Sequence, residues 1–171
     1  LYSIIIREHS TAKYAAQHKL EALKTLGVES SDLKLDFFVS DEARIFAKEF
    51  FKDNGLNRKN LVISISPTSR RRFNRWDLAR YAQLADWLIS KVKAKVVLAW
   101  GPAEREVVEK VKDLMKESPI ICWETKDLFQ LGAILEKCDL HIGNDNGTKH
   151  IAVAMERPTI TIYGPHNPIS W

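Results

Sequence analysis

The sequence predicts a doubly wound α/β fold, a parallel sheet covered by helices on both faces. Three observations predict it. From Leu61 onward, five apolar runs of strand length alternate with four segments whose apolar residues recur at helical spacing. The loops between them are short, as right-handed crossovers between parallel strands require. Finally, the stretch Cys138 to Met155 reads as an apolar strand, a Gly143-Asn144-Asp145-Asn146-Gly147 turn and a small-residue helix. A strand that feeds a helix through a glycine turn leaves backbone N–H groups unpaired at the helix start.

In chain order, residues 1–6 read as a strand and His9 to Leu26 as a helix closed by Gly27. Ser30 to Ser40 is extended and irregular. Asp41 then caps a helix through about Lys52, with Phe46 and Phe50 on one face and Gly55 as its stop. The regular alternation starts at Leu61–Ile65, a buried-type strand. Asp77 to Val92 is a helix with Leu78, Tyr81, Ala82, Ala85, Leu88, Ile89 and Val92 on one stripe. Lys95 to Ala99 is the second strand, and Glu104 to Lys116 the helix after it, burying Val107, Val108, Val111, Leu114 and Met115. Pro119 to Cys122 is the third strand. Asp127 to Lys137 is the next helix, started by Thr125 or Asp127. Leu140 to Gly143, Gly147 to Glu156 and Thr159 to Tyr163 complete the series as strand, helix and strand.

The common strand order for such a sheet is 3-2-1-4-5. It sets the first and fourth strands side by side, and ligands bind outside their carboxyl ends. Two loops therefore matter most: Ser66 to Trp76 and Gly143 to Lys149.

Composition excludes several classes. The chain has 171 residues, 45% hydrophobic and 28% charged, as in ordinary globular proteins. No apolar run approaches the roughly 20 residues that span a bilayer, and no signal peptide is visible. Cys122 and Cys138 are the only cysteines and form no CxxC; the five histidines show no HExxH spacing. That fits a reducing compartment and no metal site. A net charge of +4 and a pI near 9.0 favour anionic partners. The chain opens on Leu1 without an initiator methionine and stops at Trp171 after the turn-rich Gly164-Pro165-His166-Asn167-Pro168, so it reads as part of a longer polypeptide.

The first loop holds Arg70, Arg71, Arg72 and Arg75, with no acid until Asp77. Arginine grips phosphate oxygens in pairs, and Thr68 and Ser69 add hydroxyl donors. Across the crevice, the helix start at Gly147 offers free N–H groups and the positive end of a dipole. Asp145 and Asn146 are natural N-caps, Gly147 lets a ligand approach the backbone, and His150 falls in the first turn. Glu104, beyond the second strand, either takes the paired hydroxyls of a ribose or simply sits in the first helical turn, where the dipole favours it. Glu124 is a weaker candidate of that kind, and Trp123 is either a base-stacking platform or core.

These residues resemble glycosyltransferase family 9, the lipopolysaccharide heptosyltransferases. The resemblance rests on Ser69-Arg70-Arg71 to Arg75-Trp76, on Gly101-Pro102-Ala103-Glu104, and on Ile142 to Gly147 with His150-Ile151-Ala152, Arg157-Pro158-Thr159 and Tyr163-Gly164-Pro165. It implies the C-terminal, Rossmann-like half of a GT-B fold. Residues 61–171 would be the donor-binding domain, incomplete at its C-terminus. Residues 41–60 would be a connecting helix and linker, and residues 1–40 the tail of the N-terminal acceptor domain. Ser69, Arg72, Arg75, Glu104, Asp145, Asn146, Gly147 and His150 would bind the donor, with no metal and no cofactor.

The implied reaction moves heptose from ADP-heptose to the lipopolysaccharide inner core, inverting and metal-independent, in the cytoplasm or on the inner membrane's cytoplasmic face. The partners would be the ADP-sugar, a lipid-linked acceptor and an anionic membrane surface, with no nucleic acid. The catalytic base is expected outside this chain, which alone would be inactive. Two departures stand out. Asn146 replaces the threonine of many members. Asn74 replaces a lysine that contacts phosphate, leaving Arg72 or Arg75 to substitute. The rival readings are another GT-B nucleotide-sugar enzyme, such as an epimerase, and a nucleic-acid-binding module built on Arg70 to Arg75.

Overall fold

The computed structural model of the chain describes residues 15–165 and Pro168. The strand expected over 1–6 and the start of the helix expected from His9 lie outside the described residues. The chain divides into two compact units. One contains helix α1 (Ala15–Lys24), which has no buried residue and is followed by Gly27 at φ +79°. The other runs from Asp36 to Gly164 and holds every other regular element.

That second unit opens with α2 (Asp41–Asp53). Its N-cap is Ser40, not Asp41: the Ser40 hydroxyl accepts from the Ala43 amide at 3.2 Å. Asp41 is instead the first helical residue, where its carboxylate meets the positive end of the dipole. Phe50 is fully buried, and Phe46 and Phe50 both pack edge-on against Trp123 at 5.5 Å. Trp123 is therefore half-buried and packed by its ring against the core.

Five strands follow: β1 (Val62–Ser66), β2 (Lys95–Leu98), β3 (Ile120–Ile121), β4 (Leu140–Asn144) and β5 (Thr159–Ile162). They pair in parallel in the order β3-β2-β1-β4-β5, as the sequence predicts. Every residue of β1 is buried. β1 lies between β2 and β4, with Ser66 beside Gly143 at its carboxyl end.

The crossover helices are α3 (Leu78–Ser90), α4 (Arg105–Leu114), α5 (Leu128–Glu136) and α6 (Gly147–Ala154). Strand order grows outward from β1 first through β2 and β3, then in the other direction through β4 and β5. Right-handed crossovers then put α3 and α4 on one face and α5 and α6 on the other. The packing agrees: α3 touches β2 and α4, while α5 touches α2 and α6.

The helices are shorter than their apolar stripes suggest. α3 ends before Lys93, which sits at φ +62°. After α4, the Asp86 carboxylate takes the amides of Lys116 and Glu117 at 3.0 and 2.8 Å and turns the chain away. α6 ends before Glu156, at φ +57°. Of the two candidate starters for α5, Asp127 is the N-cap, accepting from Gln130 N at 2.9 Å.

Candidate functional site

The carboxyl ends of β1 and β4 carry two loops that are locked to each other by side-chain amides. Asn144, the last residue of β4, is fully buried. Its Nδ2 donates to the Pro67 carbonyl at 2.8 Å, and its Oδ1 accepts from Trp76 N at 2.9 Å. One side chain therefore holds both ends of the arginine loop. Asn146 supplies a second tie. Its Nδ2 donates to the Thr68 carbonyl at 2.7 Å and to Ser66 Oγ at 3.0 Å. Its Oδ1 caps α6 by accepting from Lys149 N at 3.0 Å. Of the two expected caps, Asn146 holds the position and Asp145 does not.

Ser69 is buried and donates its hydroxyl to the Asp145 carbonyl at 3.2 Å. The Ser69 carbonyl in turn accepts from Arg75 Nε at 2.6 Å. Arg75 is thus anchored from both sides, because the Trp76 ring packs edge-on against Tyr81 of α3 at 5.0 Å. Arg72, itself exposed, starts a 3₁₀ turn (Arg72–Asn74) that the sequence reading lacked. Arg70 and Arg71 are exposed, Arg71 lying 5.9 Å from the Phe73 ring centre.

Position 74 is unlike a site for a phosphate-gripping cation. Asn74 is buried, and its Oδ1 has no hydrogen-bond partner among the described residues. Gly164 passes so close that a Cβ there would meet Asn74 Oδ1 at 2.7 Å and the Phe73 carbonyl at 2.5 Å.

Glu104 is the residue before α4, but its carboxylate makes no cap to that helix. Instead Oε2 accepts from Thr68 Oγ1 at 2.6 Å and from Gly101 N at 3.1 Å. The left-handed Ala103 (φ +62°) turns the chain so that the carboxylate reaches back. Glu104 is thereby joined through Thr68 to the same loop pair, while Glu124 is merely exposed.

At the start of α6, Gly147 is exposed, and a Cβ there would meet nothing within 4 Å, so its backbone faces open space. His150 is half-buried one turn on. The residue that sequence reasoning missed is Lys149. Its side chain is 5% exposed, its Nζ lies 2.9 Å from Asp145 Oδ1, and it sits 5.4 Å from the Tyr163 ring centre. The i,i+4 spacing of Asp145 and Lys149 was the available signal. The role of Asn144 had a weaker one, a polar residue ending an apolar strand.

Beneath the loops, His141 is fully buried in β4 with Nδ1 2.9 Å from Ser64 Oγ, and its Nε2 has no partner among the described residues. Burial lowers its pKa to about 4, so the ring is neutral. Burial also pushes the Cys122 and Cys138 thiols up to about 12, which leaves them inert as nucleophiles at neutral pH. No group of three His, Cys, Asp or Glu side chains among the described residues is arranged to hold a metal ion. No described helix is long and apolar enough to cross a membrane. A concavity of about 820 Å³, whose lining includes Lys48, Lys52, Arg58, Lys137 and Asp139, opens at the amino ends of β1 and β4, away from these loops.

The crevice offers an open helix start, a tethered carboxylate and an arginine loop pinned by Asn144 and Asn146. Comparison with known proteins points to one family. The sequence profile of glycosyltransferase family 9 (heptosyltransferase) matches residues 6–171. The lipopolysaccharide core heptosyltransferase OpsX of Haemophilus influenzae is 32% identical over 146 residues, covering 84% of this chain and 40% of that protein. A crystal structure of a family 9 glycosyl transferase from Veillonella parvula superposes with a TM-score of 0.86 at 30% identity, covering 95% of this chain and 47% of that one. The ADP-heptose lipopolysaccharide heptosyltransferase II of Escherichia coli shares the fold, with a TM-score of 0.66 at 23% identity, covering 79% of this chain and 41% of that one. The chain thus spans less than half the length of each.

Proposed function

Because the chain belongs to glycosyltransferase family 9, we propose that it is the donor-binding half of a lipopolysaccharide heptosyltransferase. The whole enzyme would move heptose from ADP-heptose to the lipopolysaccharide inner core. The observation that carries this reading is the crevice itself. Asn144 and Asn146 clamp the arginine loop against an open helix start, at the switch point of a doubly wound sheet. The names of the Haemophilus and Escherichia relatives supply the sugar, the nucleotide and the acceptor class.

In this reading the donor diphosphate lies across Gly147, where the first α6 amides and the dipole meet it. Arg75 and Arg72 supply charge from the opposite loop. Oε1 of Glu104, the carboxylate oxygen not held by Thr68 and Gly101, takes the ribose hydroxyls. Asp145 and His150 face the diphosphate and sugar. An acceptor hydroxyl gives its proton to a base outside this chain. Its oxygen bonds to the anomeric carbon from the face opposite the leaving group, and the carbon–diphosphate bond breaks with the electron pair going to ADP. Attack from that opposite face inverts the anomeric centre, and fixed N–H groups and arginine, in place of a metal, stabilise the growing charge on the leaving diphosphate. Residues 61–171 form the donor domain, 41–60 the connection and 1–40 the end of an acceptor domain. The enzyme works in the cytoplasm, peripheral to the anionic inner membrane.

Titration calorimetry of the chain with ADP, UDP and a single-stranded DNA oligomer, each at two salt concentrations, tests this. The expected result is saturable ADP binding with a preference over UDP. Binding of the oligomer with steep salt dependence, and none of ADP, would mean that the arginine loop is a nucleic-acid surface.

A further inference from the structure

A largely buried ion pair joins Lys149, in the first turn of α6, to Asp145, the residue before the cap. The Lys149 side chain starts one turn into the helix and points back toward the helix start, as helical side chains do. There its ammonium meets Asp145 at 2.9 Å, with the Tyr163 ring 5.4 Å away. The two side chains are 5% and 12% exposed. Asp145 directly precedes the cap Asn146, so its carboxylate sits in the field that a diphosphate would also occupy. Left unpaired, that carboxylate would repel the ligand and cancel much of the helix-end field. Arg75 spends its Nε on the Ser69 carbonyl, and position 74 is a buried asparagine.

We propose that Lys149 is the counter-ion that neutralises Asp145, so that the open start of α6 keeps its positive field for the diphosphate of a nucleotide-sugar. The proposal rests on the crevice being a nucleotide-sugar site. It makes Lys149 a positioning residue: it acts through Asp145 and sets the charge that the ligand meets. A buried pair serving only the fold would not distinguish a nucleotide with phosphates from one without.

The test measures ADP and adenosine binding by calorimetry for the wild-type chain, Lys149→Met, Asp145→Asn and the double variant. Lys149→Met should weaken ADP by about tenfold or more, and adenosine by less than about twofold. Asp145→Asn removes the carboxylate charge and should tighten the binding of ADP, which lacks the sugar that Asp145 faces. The double variant removes both charges and leaves no unpaired carboxylate, so it remains informative if Lys149→Met does not fold. Asp145→Asn should then bind ADP about tenfold tighter than the double variant. If wild type binds ADP while Lys149→Met binds it equally well, or loses ADP and adenosine alike, the inference fails alone. It fails equally if Asp145→Asn is no tighter than the double variant. Wild type that binds neither compound overturns the nucleotide reading and this inference with it.

Discussion

Arg75 and Arg70 are five residues apart in one basic loop, yet their surroundings differ in a way that binding can read. Both are exposed, but Arg75 is fixed through the Ser69 carbonyl and by its neighbour Trp76. A charge-assisted hydrogen bond contributes roughly 1.5–3 kcal/mol. Arg75→Ala should therefore weaken ADP binding by about 10- to 150-fold, since 1.4 kcal/mol is a factor of ten. Arg70→Ala should do much less. Equal losses for Arg70, Arg72 and Arg75 across two salt concentrations would indicate diffuse attraction and no defined clamp. His141 gives a second residue-scale prediction, in stability. Its pKa is lowered from 6.5 to about 4 by burial, so the unfolded chain takes up a proton at a pH where the native chain does not. Stability from this group is complete above pH 6.5 and is lost as pH falls toward 4. By pH 5 the loss should reach about 2 kcal/mol. Urea unfolding at pH 7.5 and pH 5 should show this fall in wild type beyond that in His141→Asn. Parallel curves would mean that the ring is protonated in the native state.

At the scale of elements, the legible part was whatever follows from periodicity. The alternation from Leu61 onward predicts each strand and helix to within a few residues, and crossover handedness turns that list into the observed strand order. Helix ends were less legible because several are set by contacts remote in sequence. Nothing local announces that Asp86 will capture the amides of Lys116 and Glu117. Caps were partly legible. Ser40 and Asp41 are both good N-cap types, and only the extended backbone at Ser40 (ψ 160°) decides between them. The same ambiguity stood between Asp145 and Asn146. Here its resolution bears on function, because Asn146 spends its carbonyl on the cap and its amide on the opposite loop, which releases Asp145 to pair with Lys149. Motif spacing singled out the two loops at the carboxyl ends of β1 and β4, which the structure brings together. It did not mark Asn144 as the clamp, since hydrogen bonding to Pro67 and Trp76 depends on β1 and β4 being neighbours.

In the Asp36–Gly164 unit as a whole, burial is graded from the centre of the sheet outward. β1 has a partner on each side and is buried along its length. β4 is also central and buried from His141 to Asn144. At one edge β3 pairs over just Ile120 and Ile121, both half-buried; at the other, β5 has Ile160 exposed and its other residues half-buried. Local opening follows exposed backbone and sparse apolar packing, so edge strands should open well below the free energy of global unfolding. Native-state hydrogen exchange should therefore find hydrogen-bonded amides of β1 and β4 exchanging at least roughly 100-fold more slowly than those of β3 and β5. The crevice loops spring from the two protected strands, so the clamp stands on the stiffest part of the sheet. That gives a ligand a preorganised site, with little ordering left to do on binding. Added ADP should then protect amides in residues 66–76 and at the start of α6 while leaving the β1 and β4 amides as slow as before. Equal exchange across all five strands would show that the sheet opens as one unit. Slowing of the edge strands by ADP would show that the ligand orders the whole sheet and does not settle on a finished base.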